Sequence, residues 1–151
     1  MSLKTSQVMS KKPITIKSGS TLEQTAKILI KNKISGAPVV AKSGKLIGIV
    51  SEKDLFKAIY PNLKDIIKHV SLWLDRKRVQ HRVDAKKETL VNKIMTKEVI
   101  TVKPDTPILK TGSLMLVNRI HRIPVVNKGK LVGVVGRRDI FRRLLKNDLD
   151  L

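Results

Sequence analysis

Cysteine is absent from the 151 residues, which excludes disulfides, thiolate nucleophiles and Cys-ligated metal. Aromatic residues are scarce, with one Trp, one Tyr and two Phe, so base stacking on nucleic acid would be poorly served. No run of about 18 apolar residues occurs, so no membrane-spanning helix is expected. The opening MSLKTSQVMSKKPITIKSGS has no apolar stretch of the secretory kind. A soluble, cytoplasmic chain is the expectation. Motifs of catalysis are missing too: there is no G-x-S-x-G, P-loop or G-x-G-x-x-G. His69, His81 and His121 show no metal-ligand spacing with carboxylates, so neither an enzyme nor a metal site is expected.

Negative charge is also in short supply. Asp and Glu number 12 against 32 Lys and Arg, a net charge of +20. The excess is dispersed: residues 1–60 hold 11 basic and 3 acidic side chains, 61–94 hold 9 and 4, and 95–151 hold 12 and 5. Such a field attracts polyanions of any kind, from phosphorylated small molecules to nucleic acid, and a solvated lysine-rich surface explains it as well.

What the chain does have is itself, twice. The stretch from Met9, MSKKPITIKSGSTLEQTAKILIKNKISGAPVVAKSGKLIGIVSEKDLFKAI, aligns with MTKEVITVKPDTPILKTGSLMLVNRIHRIPVVNKGKLVGVVGRRDIFRRL from Met95, with one single-residue gap near Ser43. Pro38-Val39-Val40 pairs with Pro124-Val125-Val126, and Gly44-Lys45-Leu46 with Gly129-Lys130-Leu131. Each copy reads as strand, helix, strand, turn, strand, helix. Alternation at ITIK and VITVK predicts a short first strand. Ser20 and Glu23 form a capping-box pattern ahead of a helix whose inner face holds Leu22, Ala26, Leu29 and Ile30. In the second copy Pro107 is expected at the first helical position, with Ile108, Gly112, Met115 and Leu116 inward. APVVAKSGKLIGIV and IPVVNKGKLVGVV predict hairpins about a Gly-Lys turn. Closing helices are expected at 51–60 and 136–146.

Residues 61–94 have no counterpart in the chain. Leu63, Ile66, Ile67, Val70, Trp73 and Leu74 fall at helical spacing, predicting an amphipathic helix from about 62 to 75 or beyond, followed by the basic run RKRVQHR. Its apolar stripe can pack on its own module or on a partner.

The repeated GIVSEKD and GVVGRRD phrases, the PVV strands, the Gly-Lys turns and the I-M-T opening of the second copy resemble a tandem pair of CBS domains, the regulatory repeat of the cystathionine-beta-synthase type. The resemblance implies an α/β (α+β) fold of two pseudo-twofold-related βαββα repeats, at 8–60 and 95–146, with the insert 61–94 between them. It further implies two clefts binding adenosine-containing ligands (AMP, ADP, ATP or S-adenosylmethionine), no catalysis, a homodimer, and a regulated partner protein.

Position by position, the resemblance assigns Ser51, Asp54, Gly136 and Asp139 to ribose at helix N-termini, and His121, Arg122, Arg137 and Arg138 to phosphate. Ile14, Ile34, Ser35, Ile100 and Ile120 would wall the adenine. Asp139 would work with Ile14, Ile34 and Ser35 of the other copy, and Asp54 with Ile100 and Ile120. Gly136 departs from the family phrase, so the two sites are expected to be unequal. Independently of family, a strand ending at Val50 and a helix opening at Ser51 bring a hydroxyl, backbone N–H groups and a carboxylate to a helix N-terminus, which suits anions and hydroxyl-rich ligands. Ser51-x-x-Asp54 is equally a capping box, Gly136 also serves as an N-cap, and each isoleucine also fits plain core packing. Gly48 and Gly133 would let a ligand or backbone approach closely. A different use of the chain is a basic nucleic-acid scaffold resting on Arg76, Lys77, Arg78 and Arg82, backbone-led and salt-dependent. A third is an interaction module whose clefts hold no ligand.

Overall fold

The computed structural model describes residues 2–60, 63–68 and 75–151. Contacts divide the chain into two compact units: Ile14–Lys42 with Ile47–Lys97, and Met1–Pro13 with Ser43–Leu46 and Glu98–Leu151. The first unit contains most of the first copy, the insert and the opening of the second copy; the second contains the rest of the second copy with residues 1–13 and the 43–46 turn.

In the first unit β1 (Ile16–Lys17) pairs in parallel with β2 (Gly36–Val40), Ile16 opposite Val39, and β2 lies beside β3 (Leu46–Ser51). Helix α1 (Leu22–Lys31) bridges β1 and β2, and α2 (Glu52–Ile59) leaves β3. Ile16, Leu22, Leu29, Val39, Val50 and Leu55 are buried as one core. The capping box is one residue later than expected. Thr21 accepts the Gln24 N–H at 3.1 Å and Gln24 Oε1 accepts the Thr21 N–H at 3.0 Å. Ser20 is held elsewhere, its carbonyl accepting the Val91 N–H at 2.7 Å. The buried stripe therefore runs through Leu22, Thr25 and Leu29, while Ile30 is 72% exposed. Thr25 is tolerated inside because its hydroxyl donates to the Thr21 carbonyl at 2.8 Å.

The insert supplies α3 (Leu63–Lys68), α4 (Arg76–Lys86) and α5 (Val91–Ile94). Of the expected stripe, Ile67 is 80% exposed, and Val70, Trp73 and Leu74 lie outside the described residues. The expected helix does not run on through 75. Asp75 is an N-cap, its Oδ1 accepting the Lys77 N–H at 3.0 Å, so RKRVQHR opens a separate helix.

The second unit repeats the pattern. Val102 makes a single parallel bridge to Val125, which is all that remains of the expected first strand VITVK. Helix α6 (Ile108–Asn118) follows, then β4 (Arg122–Asn127) and β5 (Lys130–Gly136), antiparallel with Arg122 opposite Gly136 and a bulge at Val125/Val126, then α7 (Arg137–Asp148). Ile108, Met115, Ile123, Val125, Val135 and Ile140 form the core. Pro107 is the N-cap of α6 and not its first residue. Thr111 joins Ile108, Gly112 and Met115 on the buried face, and Leu116 is 64% exposed.

The segment preceding each copy docks on the unit of the other copy. Residues 3–10 pack on the second unit: Ile108 N–H donates to Leu3 O at 2.9 Å, Thr5 N–H to Thr106 O at 2.8 Å, and Ser10 exchanges two bonds with Val134. Residues 89–96 do the same on the first unit, through Leu22 N–H to Thr89 O, Val91 N–H to Ser20 O, and two bonds between Thr96 and Ile49. The strand glycines make this possible. A methyl group at Gly48 would sit 2.5 Å from Met95 Sδ and 2.9 Å from Thr96 O, and one at Gly133 would sit 2.6 Å from Met9 Sδ and 2.7 Å from Ser10 O. What comes close to these glycines is backbone and methionine.

Candidate functional site

In each unit the same construction brings the loop before the middle strand to the start of the closing helix. The strand β3 ends at Ser51, the N-cap of α2, and the first helical N–H, that of Glu52, donates to Ser35 O at 2.8 Å. The strand β5 ends at Gly136, the N-cap of α7, and the Arg137 N–H donates to His121 O at 2.8 Å. The loop entering the middle strand is thereby tied to the start of the closing helix. Ser35 stands beside Ser51 in one unit, and His121-Arg122 beside Gly136-Arg137 in the other. Ile34 and Ile120, one residue upstream, are half-buried against their respective cores. Ile14 and Ile100 are 41% and 36% exposed, so neither is spent on core packing.

The two N-termini differ as the serine-to-glycine change predicts. At α2 the capping box is complete: Asp54 Oδ2 accepts from the Ser51 N–H at 2.9 Å and from its hydroxyl at 3.0 Å, and Ser51 Oγ accepts the Asp54 N–H at 3.3 Å. One Asp54 oxygen is therefore committed to the cap. At α7 no side-chain cap bond forms. Among the described residues the Asp139 carboxylate has no hydrogen bond or ion pair, and the exposed basic side chains His121, Arg137 and Arg138 form none with a carboxylate. A free carboxylate and unpaired cations at a helix N-terminus can hydrogen-bond a diol and attract an anion.

Two grooves are lined mainly by residues outside the expected set. One, of about 360 Å3 in the first unit, is lined by Asp54, Lys57, Lys86, Thr89 and Lys93 among others. Its lysines read in sequence as solvated charge; the only signal was that Asp54 and Lys57 share a helix face. The other, of about 900 Å3 in the second unit, runs past Ile100, Lys103, Lys110, Leu114 and Lys128 and shares only Ile100 with the expected residues. Among the described residues no three His, Asp or Glu side chains are grouped to hold a metal ion, and no helix is long and apolar enough to cross a membrane.

Comparison with known proteins places this geometry. The family model of the CBS domain matches residues 6–61 and 91–146. The chain belongs to the CBS-domain family. This CBS pair is 37% identical to the uncharacterized protein MJ1426 of Methanocaldococcus jannaschii over 89% of this chain and 88% of the relative. It is 31% identical to a CBS domain-containing protein of Dictyostelium discoideum over 93% and 90%. A 33% match to L-aspartate semialdehyde sulfurtransferase of Methanocaldococcus jannaschii spans 89% of this chain but 22% of that enzyme. Among solved structures, the CBS domain pair of protein MJ0100 in complex with 5-methylthioadenosine and S-adenosyl-L-methionine superimposes with a TM-score of 0.71 at 28% identity, covering 97% of this chain and 99% of that one. The CBS domain of a membrane protein from Sphaerobacter thermophilus gives 0.74 at 29% identity, over 93% and 87%.

Proposed function

We propose that this CBS pair is a non-catalytic regulatory module that binds adenosine-containing ligands at its two closing-helix N-termini. The observation that carries the proposal is the repeated tie between the middle-strand loop and the helix start, Glu52 N–H to Ser35 O and Arg137 N–H to His121 O, each next to an aspartate three residues beyond its N-cap. Asp54 and Asp139 accept the ribose hydroxyls, as acidic residues do in dinucleotide folds. His121, Arg122, Arg137 and Arg138 attract phosphate, with Arg supplying a forked donor. Ile14, Ile34, Ile100 and Ile120, with Ser35, offer adenine walls. The complex of MJ0100 with two adenosyl compounds supports this ligand class. Occupancy is passed to a partner protein by a cytoplasmic homodimer.

Ligand-induced thermal shift tests this. A ligand that binds the folded state alone raises the melting temperature by mass action. AMP, ATP, 5-methylthioadenosine or S-adenosylmethionine is expected to raise it in the wild type, and the rise is lost in Asp54→Ala with Asp139→Ala. Equal rises with every polyanion, fading with salt, would replace the proposal by plain charge attraction.

A second reading has its own observation. Helix α4 has no buried residue and carries five Lys or Arg in eleven positions. Backbone-led binding of nucleic acid along this helix is its natural use, with affinity falling steeply as salt rises.

A further inference from the structure

In the first unit a cluster of lysines lies beside the aspartate of the closing helix; the lysines lining the groove of the second unit, Lys103, Lys110 and Lys128, have no such aspartate among them. Lys57 lies one turn beyond Asp54 on α2, Lys86 ends α4, and Lys93 lies on α5; with Thr89 they line the 360 Å3 groove. None of the three lysines forms an ion pair among the described residues. Asp54 is the one carboxylate in the lining, and its Oδ2 is bonded to Ser51. Three ammonium groups thus share a small groove with a single, partly engaged carboxylate.

The backbone that presents them is pinned. Thr89 O accepts from Leu22 N–H and Lys87 O from Glu23 N–H, the Asn92 side chain bonds Gly19 N–H and the Ser18 hydroxyl, and Val91 is buried. In the other unit Leu3 occupies the place of Thr89, bonded in the same way to the first residue of its helix. Continuing that register puts Gln7 where Lys93 stands. The cluster is a property of the insert-bearing copy.

We infer that this groove is a phosphoryl-binding subsite, so that the first repeat takes an adenosine compound bearing a phosphate chain and disfavours one bearing a sulfonium. The inference rests on the ribose role proposed for Asp54. With ribose at Asp54, a chain leaving it along α2 meets Lys57, then Lys86 and Lys93 across the groove, and the Thr89 hydroxyl adds a neutral donor. Lysine serves phosphate as a compact point charge with three donors. A sulfonium in the same place adds a fourth positive charge. Neutral 5-methylthioadenosine gains nothing from the lysines.

The test is calorimetric titration of the full chain in an Asp139→Ala background, which isolates the first repeat, with ATP, 5-methylthioadenosine, S-adenosylmethionine and pyrophosphate as probes. The paired variant Lys86→Gln with Lys93→Gln changes two exposed side chains and leaves the core untouched. ATP is expected to bind at least about tenfold more tightly than 5-methylthioadenosine, about 1.4 kcal/mol, and S-adenosylmethionine no more tightly than it. The paired variant should abolish the ATP preference and leave 5-methylthioadenosine affinity unchanged. An ATP preference that is absent, or that survives the paired variant, overturns the subsite while the ribose role stands if Asp54→Ala still abolishes adenosyl binding. Pyrophosphate binding lost in the paired variant, with no adenosyl compound bound at all, keeps the phosphoryl subsite and removes the ribose role.

Discussion

Gly136→Ser is the substitution that most directly tests the account of the two helix N-termini. Gly136 has φ −97° and ψ 150°, extended backbone like that of Ser51 at −126° and 165°, so a side chain costs no conformational strain. A β-carbon there would meet only Asp139 Oδ2, at 3.3 Å, the counterpart of the Asp54 oxygen that bonds Ser51. The hydroxyl should therefore complete at α7 the box present at α2. Serine exceeds glycine as an N-cap by a few tenths of a kcal/mol, and the returning carboxylate adds to it, for a gain of about 0.3–1 kcal/mol. For a chain of this size that is a rise of about 1–4 °C in melting temperature. Differential scanning calorimetry without ligand reads it directly. The gain should shrink in an Asp139→Ala background, because only the serine half of the box can then form. A lower melting temperature, or an equal gain without Asp139, would refute the reasoning.

Three further outcomes are expected. Ser51→Ala removes the existing box and should cost about 1 kcal/mol in urea denaturation, more than the same change at any exposed serine. Gly48→Ala and Gly133→Ala force a methyl against Met95 and Thr96 or Met9 and Ser10 and should each cost about 1–3 kcal/mol, read as a lower urea midpoint with the slope of the transition unchanged. Thr5→Val removes a hydroxyl that donates to Thr106 O at 2.7 Å and lies 2.8 Å from the Thr111 hydroxyl; Thr106 O keeps the Thr5 N–H and the Thr111 hydroxyl keeps Pro107 O at 3.4 Å, so the urea midpoint should fall by the equivalent of about 1 kcal/mol.

The repeat made most of the architecture readable, because apolar and turn positions agree between copies even where identities lapse. Both hairpins follow from the PVV strands and the Gly-Lys turns, and both closing helices from the phrase that ends each hairpin. The errors are local and share a cause. Ser20, Ile30, Pro107 and Leu116 were placed by pattern within a single helix, whereas their positions are set by segments far away in the chain. The segment entering α5 takes the Ser20 carbonyl through the Val91 N–H, and the cap falls at Thr21; residues 3–5 bond the start of α6 in the same way. Thr25 and Thr111 look polar in sequence, yet their hydroxyls are satisfied inside, so the apolar count misjudged the face.

Of the proposed site, Asp54 and Asp139 stand out in the repeated phrases, while His121-Arg122 has no matching pair in the first copy and is singled out only by the family resemblance. The lysine groove was not, because Lys57, Lys86 and Lys93 come from three helices and share no spacing. The docking segments 3–10 and 89–96 were missed for a related reason. Their register carries only Met9 with Met95 as an identity, and it pairs a threonine at position 5 with a valine at 91.

The exchange of those segments also sets the order in which the chain can be completed during synthesis. The first unit needs nothing beyond Lys97, so it can close while the second copy is still being made. Thr5, by contrast, waits for Thr111, a partner 106 residues later, and Leu3, Val8 and Met9 belong to a core that does not yet exist. Closing so long a loop carries a modest entropic cost but slows folding. Residues 3–10 are thus made well before the partners they pack on, and until those exist Leu3, Val8 and Met9 have no core to enter and are open to chaperones.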